Sequence, residues 1–117
     1  MTHEKSIDTF QRKTKQGVSQ TMYIAIRRMK VKSGQLDEAI QRIESGFVPL
    51  LNTMPGYVEY IVMQAGEKEG ITISVFERQE QAEESNRRAS EWVSQNLASL
   101  AVESHEILAI GDVPFSN

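Results

Sequence analysis

Apolar residues recur along the chain with two different spacings, one typical of strands and one typical of helices. Four segments rich in apolar and β-branched residues, bounded by turn residues, predict β-strands over residues 22–31, 57–65, 71–76 and 105–110. Between them, apolar residues recur every three to four positions over residues 36–51 and 77–97, which predicts two amphipathic helices. The predicted order of elements is therefore β-α-β-β-α-β.

Proline and glycine mark where these elements end. Pro49 interrupts the first helical pattern, and because it has no N–H to donate to residue 45 it must bend the helix or begin a second short turn. Pro55 and Gly56 stop that helix, and the glycine-bounded loop over residues 66–70 predicts an antiparallel hairpin.

The predicted strands are apolar on both faces. An antiparallel sheet with helices on one side normally alternates to polar residues on its other, solvated side. Here both parities of the first strand are mainly apolar apart from Arg27, Arg28 and Lys30, and the second and fourth strands follow the same pattern. The pattern predicts a ferredoxin-like α+β fold, with a four-stranded antiparallel sheet and two helices on one face. It also predicts a homodimer in which two sheets pack face to face.

Composition and charge narrow the chemistry. The 117 residues suit a single folded domain, and with no cysteine the chain has no disulfide, thiolate metal site or cysteine nucleophile. The formal charge of −3 argues against a nucleic-acid partner, and no apolar run is long enough to span a membrane. The two histidines lie far apart, so no metal site is predicted. With no secretory pattern in its first residues, we expect a cytoplasmic protein.

The first residues of the chain differ from the rest. Residues 1–21 hold four clearly apolar side chains, and four Lys/Arg against two Asp/Glu give them a charge of +2. We interpret residues 1–21 as a polar N-terminal arm and residues 22–117 as the folded domain.

Three local motifs resemble those of antibiotic-biosynthesis-monooxygenase domains, which belong to the dimeric α/β-barrel superfamily. The motifs are Val31-Lys32-Ser33-Gly34 followed by Asp37-Glu38, Met54-Pro55-Gly56-Tyr57, and Phe76-Glu77 followed by Gln81-Ala82. They are similar to the family's turns and helix starts, over residues from about 22 to 113. The resemblance implies a homodimer with a pocket between helices and sheet. It also implies one activity among several on this fold, the cofactor-independent oxidation of a small aromatic or quinol-type compound.

Polar side chains on the apolar stripe of the second helix are the first candidates for a site. Asn86 and Asn96 fall inside the stripe together with Ser85, and Trp92 lies at its edge between the two asparagines. A buried amide needs a hydrogen-bond partner or a cavity, so we expect Asn86, Trp92 and Asn96 to line a pocket wall. Following the resemblance, their N–H groups would hold a substrate anion while dioxygen attacks it. The alternative is structural: Asn86 bonds to backbone, Asn96 ends the helix and Trp92 fills space.

Three further residues join the candidate site. His105 could act as a general base, and Tyr60 could assist it. Arg27 and Arg28 are adjacent on a strand and point to opposite faces, so one of them must enter a buried layer or lie near the strand end. There it would pair with a carboxylate or bind an acidic ligand, and Arg28 is the candidate assigned to the ligand. For His105 and Tyr60 the alternative is packing.

Two other functions stay open. One is a non-enzymatic homodimer that binds a small molecule or is purely structural. The other is haem binding or breakdown, for which the resembling enzymes place a histidine on the second helix beside Asn and Trp. Because this chain has no histidine between residues 77 and 100, haem is the weaker alternative. Nucleotide-binding and metalloprotease motifs are absent as well, so no cofactor is predicted.

Overall fold

The computed structural model describes residues 21–100 and 102–114. The predicted arm therefore lies almost wholly outside the described residues and stays a prediction. The described strands are β1 (Met22–Val31), β2 (Tyr57–Gln64), β3 (Glu69–Phe76) and β4 (Val102–Val113). They form one four-stranded sheet in the order β2-β3-β1-β4, with every neighbouring pair antiparallel.

The helical segments lie between the strands as predicted. α1 (Leu36–Arg42), a π-helical turn (Ile43–Phe47) and α2 (Val48–Asn52) connect β1 to β2, and α3 (Gln79–Asn96) with a 3₁₀ turn (Ala98–Leu100) connects β3 to β4. The order of elements and the antiparallel sheet confirm the ferredoxin-like α+β fold.

The π-helical turn is the form that the predicted bend at Pro49 takes. The backbone N–H of Val48 donates to the carbonyl of Ile43, one residue further back than in an α-helix. Pro49 is the second residue of α2, where its missing N–H costs little because the first N–H groups of a helix have no partner inside it. The helical segment therefore continues past Pro49 with a shifted hydrogen-bond register.

Interactions at its N-terminal end fix the start of α3. The side-chain oxygen of Gln81 accepts a hydrogen bond from the backbone N–H of Arg78 at 3.0 Å, which satisfies a free donor at the helix start. The same Gln81 oxygen lies where a Cβ on Gly56 would be, and Gly56 has a φ of +76°, so this turn requires glycine. On the solvent side of α3, Arg87 pairs with Glu84 and Glu91.

The strand register shows which side of the sheet the helices cover. Ala25, Arg27, Met29 and Val31 of β1 are buried beneath the helices. The core between sheet and helices includes Leu36, Ala39, Ile43, Phe47, Leu51, Phe76, Ala82, Ala89, Leu97 and Leu100. The opposite side, which we call the open face, carries the apolar residues Ile24, Ile26, Ile61, Met63, Ile71 and Ile73. Among the described residues, no helix covers it.

Two strands are longer than their side-chain patterns predict. β4 extends over twelve residues instead of the six predicted, because its backbone pairs with the whole length of β1, with a register shift beside Ile26. β3 begins at Glu69, which shortens the predicted hairpin loop. In both cases hydrogen bonding to a neighbouring strand extends the element through polar residues that a hydrophobic pattern leaves out.

Candidate functional site

A mainly apolar cavity lies between the helix-covered side of the sheet and the helical layer. Its lining comprises Arg27, Met29, Ile43, Phe47, Tyr60, Thr72, Ala89, Trp92, Val93 and His105. The cavity volume is about 20 Å³, roughly the space that one water molecule needs. The cavity is therefore narrow, and a ligand with an aromatic ring needs a wall side chain to move.

Aromatic rings form one wall of this cavity. The ring centroids of Phe47 and Trp92 lie 5.7 Å apart, and those of Phe47 and Tyr60 lie 5.8 Å apart in an edge-to-face arrangement. The indole of Trp92 rests against Gly46 of the π-helical turn, where an added Cβ would lie 2.8 Å from the ring carbon Cζ2. Because Trp92 is only half-buried, its ring stands between the cavity and solvent.

Arg27 brings a positive charge into the cavity wall. Its side chain is 1 % exposed, and its Nη1 and Nη2 groups donate to Asn86 Oδ1 and Ser74 Oγ, each at 2.5 Å. Its third hydrogen-bond partner is Tyr60. Burial lowers the pKa of Arg27 from its usual value, although an arginine keeps its proton in a protein. Within residues 21–100 and 102–114, no carboxylate pairs with this guanidinium.

His105 faces the same cavity from β4, where it lies opposite Met29 of β1. Burial lowers the pKa of its imidazole below the usual 6.5, and the positive charge of Arg27 lowers it further. The imidazole is therefore neutral at pH 7 and can accept a proton from a ligand.

Tyr60 supplies a phenol close to Arg27. Burial raises its pKa, while the charge of Arg27 and hydrogen bonds with Thr72 and Arg27 partly oppose that rise. The phenol thus keeps its proton at neutral pH and can serve as a hydrogen-bond donor.

The structure brings some of the candidate residues together and separates others. Trp92, Tyr60 and His105 all line the cavity. Asn86 is buried just behind the wall, where it holds Arg27 through its side chain and not through the backbone contact suggested as its alternative.

Two candidates do not reach the cavity. Arg28 lies on the open face, where it pairs with Glu106 and, at 3.3 Å, with Glu69. Asn96 is exposed in the last turn of α3, and its amide donates to the backbone oxygen of Trp92 at 2.9 Å. Asn96 therefore contacts the helix backbone, as its structural alternative expects, and its assignment to a ligand stays a prediction. Arg28 lies away from the cavity because its neighbour Arg27 occupies the buried side of β1, and its assignment to a ligand stays a prediction.

Arg27 is the charged residue of the cavity lining that the sequence does not distinguish from Arg28. Both parities of β1 are apolar, so the pattern could not say which arginine is buried. One signal was available, because Thr72 and Ser74 place hydroxyl groups on a single parity of β3. In the structure these two residues share the helix-covered side with Arg27.

The described residues hold neither a metal-binding cluster nor a helix that could cross a membrane. No three His, Asp or Glu side chains in residues 21–100 and 102–114 lie together in a way that could hold a metal ion. In the same part of the chain, no helix combines the length and the apolar character that crossing a membrane requires.

Comparison with known proteins places the chain in a family. The family model for antibiotic biosynthesis monooxygenases matches residues 22–91, which is more than half of the chain. The chain belongs to the antibiotic biosynthesis monooxygenase family. The match covers β1 to most of α3, and so includes all the cavity-lining residues except Trp92, Val93 and His105. No curated protein matches the chain significantly.

Solved structures share the fold of this antibiotic biosynthesis monooxygenase domain at low sequence identity. A protein of unknown function from Nitrosomonas europaea is 16% identical, with a TM-score of 0.66 over 84% of this chain and 94% of its own. The monooxygenase ActVA-Orf6 of Streptomyces coelicolor, in complex with nanaomycin D, is 10% identical, with a TM-score of 0.67 over 86% and 95%. SnoaB of Streptomyces nogalater, a cofactor-independent oxygenase, is 9% identical, with a TM-score of 0.54 over 75% and 91%.

Proposed function

We propose that this protein is a cofactor-independent monooxygenase that oxidises a small aromatic or quinol-type compound in the cavity. The observation that carries the proposal is that His105, a neutral base, and Arg27, a buried cation, line the same aromatic-walled cavity. A base beside a fixed positive charge favours ionisation of a substrate hydroxyl. The monooxygenase ActVA-Orf6 and the cofactor-independent oxygenase SnoaB have the same fold, which supports this proposal.

The reaction needs only the substrate and dioxygen. His105 takes the proton of a phenolic hydroxyl, and the resulting anion carries electron density to a ring C–H carbon ortho or para to that oxygen. This carbon is oxidised by dioxygen and forms a C–O bond, which gives a ring hydroperoxide. Cleavage of its O–O bond with loss of the ring C–H proton releases water and leaves a carbonyl. One oxygen atom enters the product and the other becomes water, with all four electrons coming from the substrate.

The other residues in and around the cavity wall bind the ring, stabilise the anion or position Arg27. Phe47 and Trp92 offer flat apolar surfaces on which a ring can lie. The Tyr60 hydroxyl can donate to the ionised oxygen, and the charge of the buried Arg27 stabilises the anion in surroundings of low polarity. Asn86 and Ser74 are positioning residues, because they hold the guanidinium and do not themselves line the cavity.

The proposal includes a homodimer that covers the open face. Ile61 and Met63 on that face are 42% and 49% exposed, and they adjoin Ile71 and Ile73 of the neighbouring strand. Monomeric proteins rarely keep a continuous apolar surface of this kind in water. A second copy presenting the same face would bury it by twofold symmetry.

Oxygen consumption tests the activity. The protein, treated with a chelator, is mixed with a panel of phenols and quinols, and oxygen uptake is followed with an electrode. Labelled dioxygen should place one labelled atom in the product. His105→Gln should slow turnover by about 10²- to 10⁴-fold, the usual contribution of a general base. Glu103→Gln, an exposed change on the same strand, should keep the wild-type rate.

Two results would overturn the proposal. If His105→Gln turns over at the wild-type rate, His105 is not the base. If ligands change the Trp92 fluorescence but no compound in the panel causes oxygen uptake, the protein is a non-enzymatic small-molecule-binding module.

A further inference from the structure

We propose that the substrate is a small hydroxyaromatic acid whose carboxylate binds Arg27. This inference rests on the proposed function and names its substrate class. The group that carries it is a guanidinium buried to 1% exposure, with hydrogen bonds to Asn86 and Ser74 but no negative charge beside it among the described residues.

Hydrogen bonding alone does not offset the burial of this charge. The partners of Arg27 are an amide, a hydroxyl and a phenol, all neutral. Moving a charge out of water is costly unless an opposite charge accompanies it, and buried arginines are usually paired. The free protein therefore carries an uncompensated positive charge, which an anionic ligand would neutralise on binding.

The neighbouring arginine shows the opposite arrangement. Arg28, on the exposed side of the same strand, contacts both Glu69 and Glu106. The fold thus places two carboxylates beside the accessible cation, and none of the described carboxylates beside the buried one. Since Arg27 lines the cavity, the space for its counter-charge is the space where the ligand binds.

The guanidinium has donors left for a ligand. An arginine side chain carries five N–H groups in one plane, a geometry that matches the two oxygens of a carboxylate. Two of the protein partners, Asn86 and Ser74, accept from the two different terminal nitrogens. With Tyr60 as the third partner, two of the five N–H groups are left to form a charge-assisted bond with a carboxylate.

A bound carboxylate would also strengthen the base. The positive charge of Arg27 lowers the pKa of His105, so neutralising that charge raises the pKa again. With the carboxylate on Arg27, a hydroxyl elsewhere on the ring can reach His105, and the imidazole is then a better proton acceptor. The geometry thus favours a ligand with both groups over a simple phenol.

The test compares two ligands of nearly equal size and shape, of which one carries a negative charge and the other is neutral. Binding of para-hydroxybenzoate and para-hydroxybenzamide is followed through Trp92, the single tryptophan of the chain, in oxygen-free buffer so that no turnover occurs. We expect the carboxylate to bind about 10- to 100-fold more tightly than the amide, the range of a charge-assisted hydrogen bond in a buried site. Arg27→Gln should remove this preference while leaving amide binding nearly unchanged.

A control variant and a second measurement separate the effect of Arg27 itself from a general effect of losing a positive charge. Arg87→Gln removes the same charge from the solvent side of α3 and should keep the preference. If Arg27→Gln does not fold, thermal shifts of the wild-type protein still decide, because the acid must raise the melting temperature more than the amide. Equal binding of acid and amide, or a preference that survives in Arg27→Gln, would overturn the inference.

The outcome is separable from that of the proposed function. Charge-dependent binding without any oxygen uptake would leave the carboxylate site standing and remove the oxygenase. Oxygen uptake with neutral phenols and acids at equal efficiency would leave the oxygenase standing and remove the carboxylate site.

Discussion

Arg27 and Arg28 are neighbours in sequence but meet opposite environments. Successive side chains of a strand point to opposite faces of the sheet, so a single step along β1 separates a buried cation from one that is ion-paired on the open face. The exposed pairs of Arg28 are worth little on their own, because solvent screens them. The charge of Arg27 acts through a medium of low polarity and therefore shapes the chemistry of the cavity.

The response of His105 to Arg27 leads to a prediction about pH. Because burial and, second, the Arg27 charge lower its pKa below the usual 6.5, the imidazole is mainly unprotonated at pH 7, and the base is lost as the pH falls through that lowered pKa. Turnover at limiting substrate should therefore be flat near neutrality and decline in a single step under more acidic conditions. The measurement is kcat/KM between pH 5 and 8.

The Arg27→Gln variant tests the direction in which Arg27 shifts the pKa of His105. Removing the positive charge takes away one of the two causes that lower the pKa of His105, so the acidic limb should move to higher pH in the variant. Burial, the larger cause, remains and limits the shift. An acidic limb centred above pH 7 in the wild-type protein would contradict the assignment of His105 as the base.

The π-helical turn connects backbone geometry to the cavity. Ile43 and Phe47, its first and last residues, line the cavity, while Gly46 between them lies under the indole of Trp92. π-helical turns of this length are uncommon and occur often at functional sites. Here the turn lets a helix backbone approach an aromatic ring closely, which places the indole between cavity and solvent.

Gly46→Ala tests this contact. A Cβ at residue 46 would lie 2.8 Å from the indole, so either the ring or the helix must shift. We expect a loss of about 1–3 kcal/mol in the free energy of unfolding, typical of overpacking, and a changed emission spectrum of Trp92. Urea unfolding followed by circular dichroism and by tryptophan fluorescence measures both effects.

Gly70→Ala is the matched control. A Cβ at that residue would meet no atom nearer than 3.6 Å, an ordinary contact distance, so neither stability nor Trp92 emission should change comparably. An emission spectrum and an unfolding free energy that stay at wild-type values in Gly46→Ala would show that the indole does not rest on the turn.

Side-chain periodicity predicts the helices and the order of strands because each element buries one face. The stripe that contains Leu36, Ala39 and Ile43 is buried as its 3.6-residue spacing requires. Periodicity does not predict the π-helical turn or the full length of β4, because backbone hydrogen bonding sets both. The side chains of these two elements indicate this backbone hydrogen bonding only weakly.

The candidate site was harder to predict, for a related reason. Trp92, Tyr60 and His105 come from three different elements, and their chemistry alone suggested them. Their meeting at one cavity depends on strand register. Where both parities of a strand are apolar, the sequence does not determine which side is buried. It therefore does not distinguish the buried Arg27 from the exposed Arg28.

At the scale of the molecule, the described part of the chain covers one sheet surface with helices and leaves the other uncovered. The helices bury one side, whereas the open face keeps isoleucines from three strands in contact with solvent. Burying apolar surface contributes roughly 25 cal/mol for every Å² removed from water. Self-association through this face would therefore add stability that a chain of 117 residues draws only in part from its own core.

Ile61→Lys tests the proposed homodimer. Ile61 is 42% exposed on the edge strand β2 and pairs with Ile73 on the open face, so a lysine there would place an unpaired charge within the proposed interface. We expect the wild-type protein to sediment as a dimer at micromolar concentration. In the variant the dissociation constant should rise at least about tenfold, which corresponds to ~1.4 kcal/mol.

Ile107→Lys is the control, because Ile107 is 51% exposed but lies beside α3 on the other side of the sheet. A wild-type protein that sediments as single chains, or equal dissociation of both variants, would mean that the open face is not the interface.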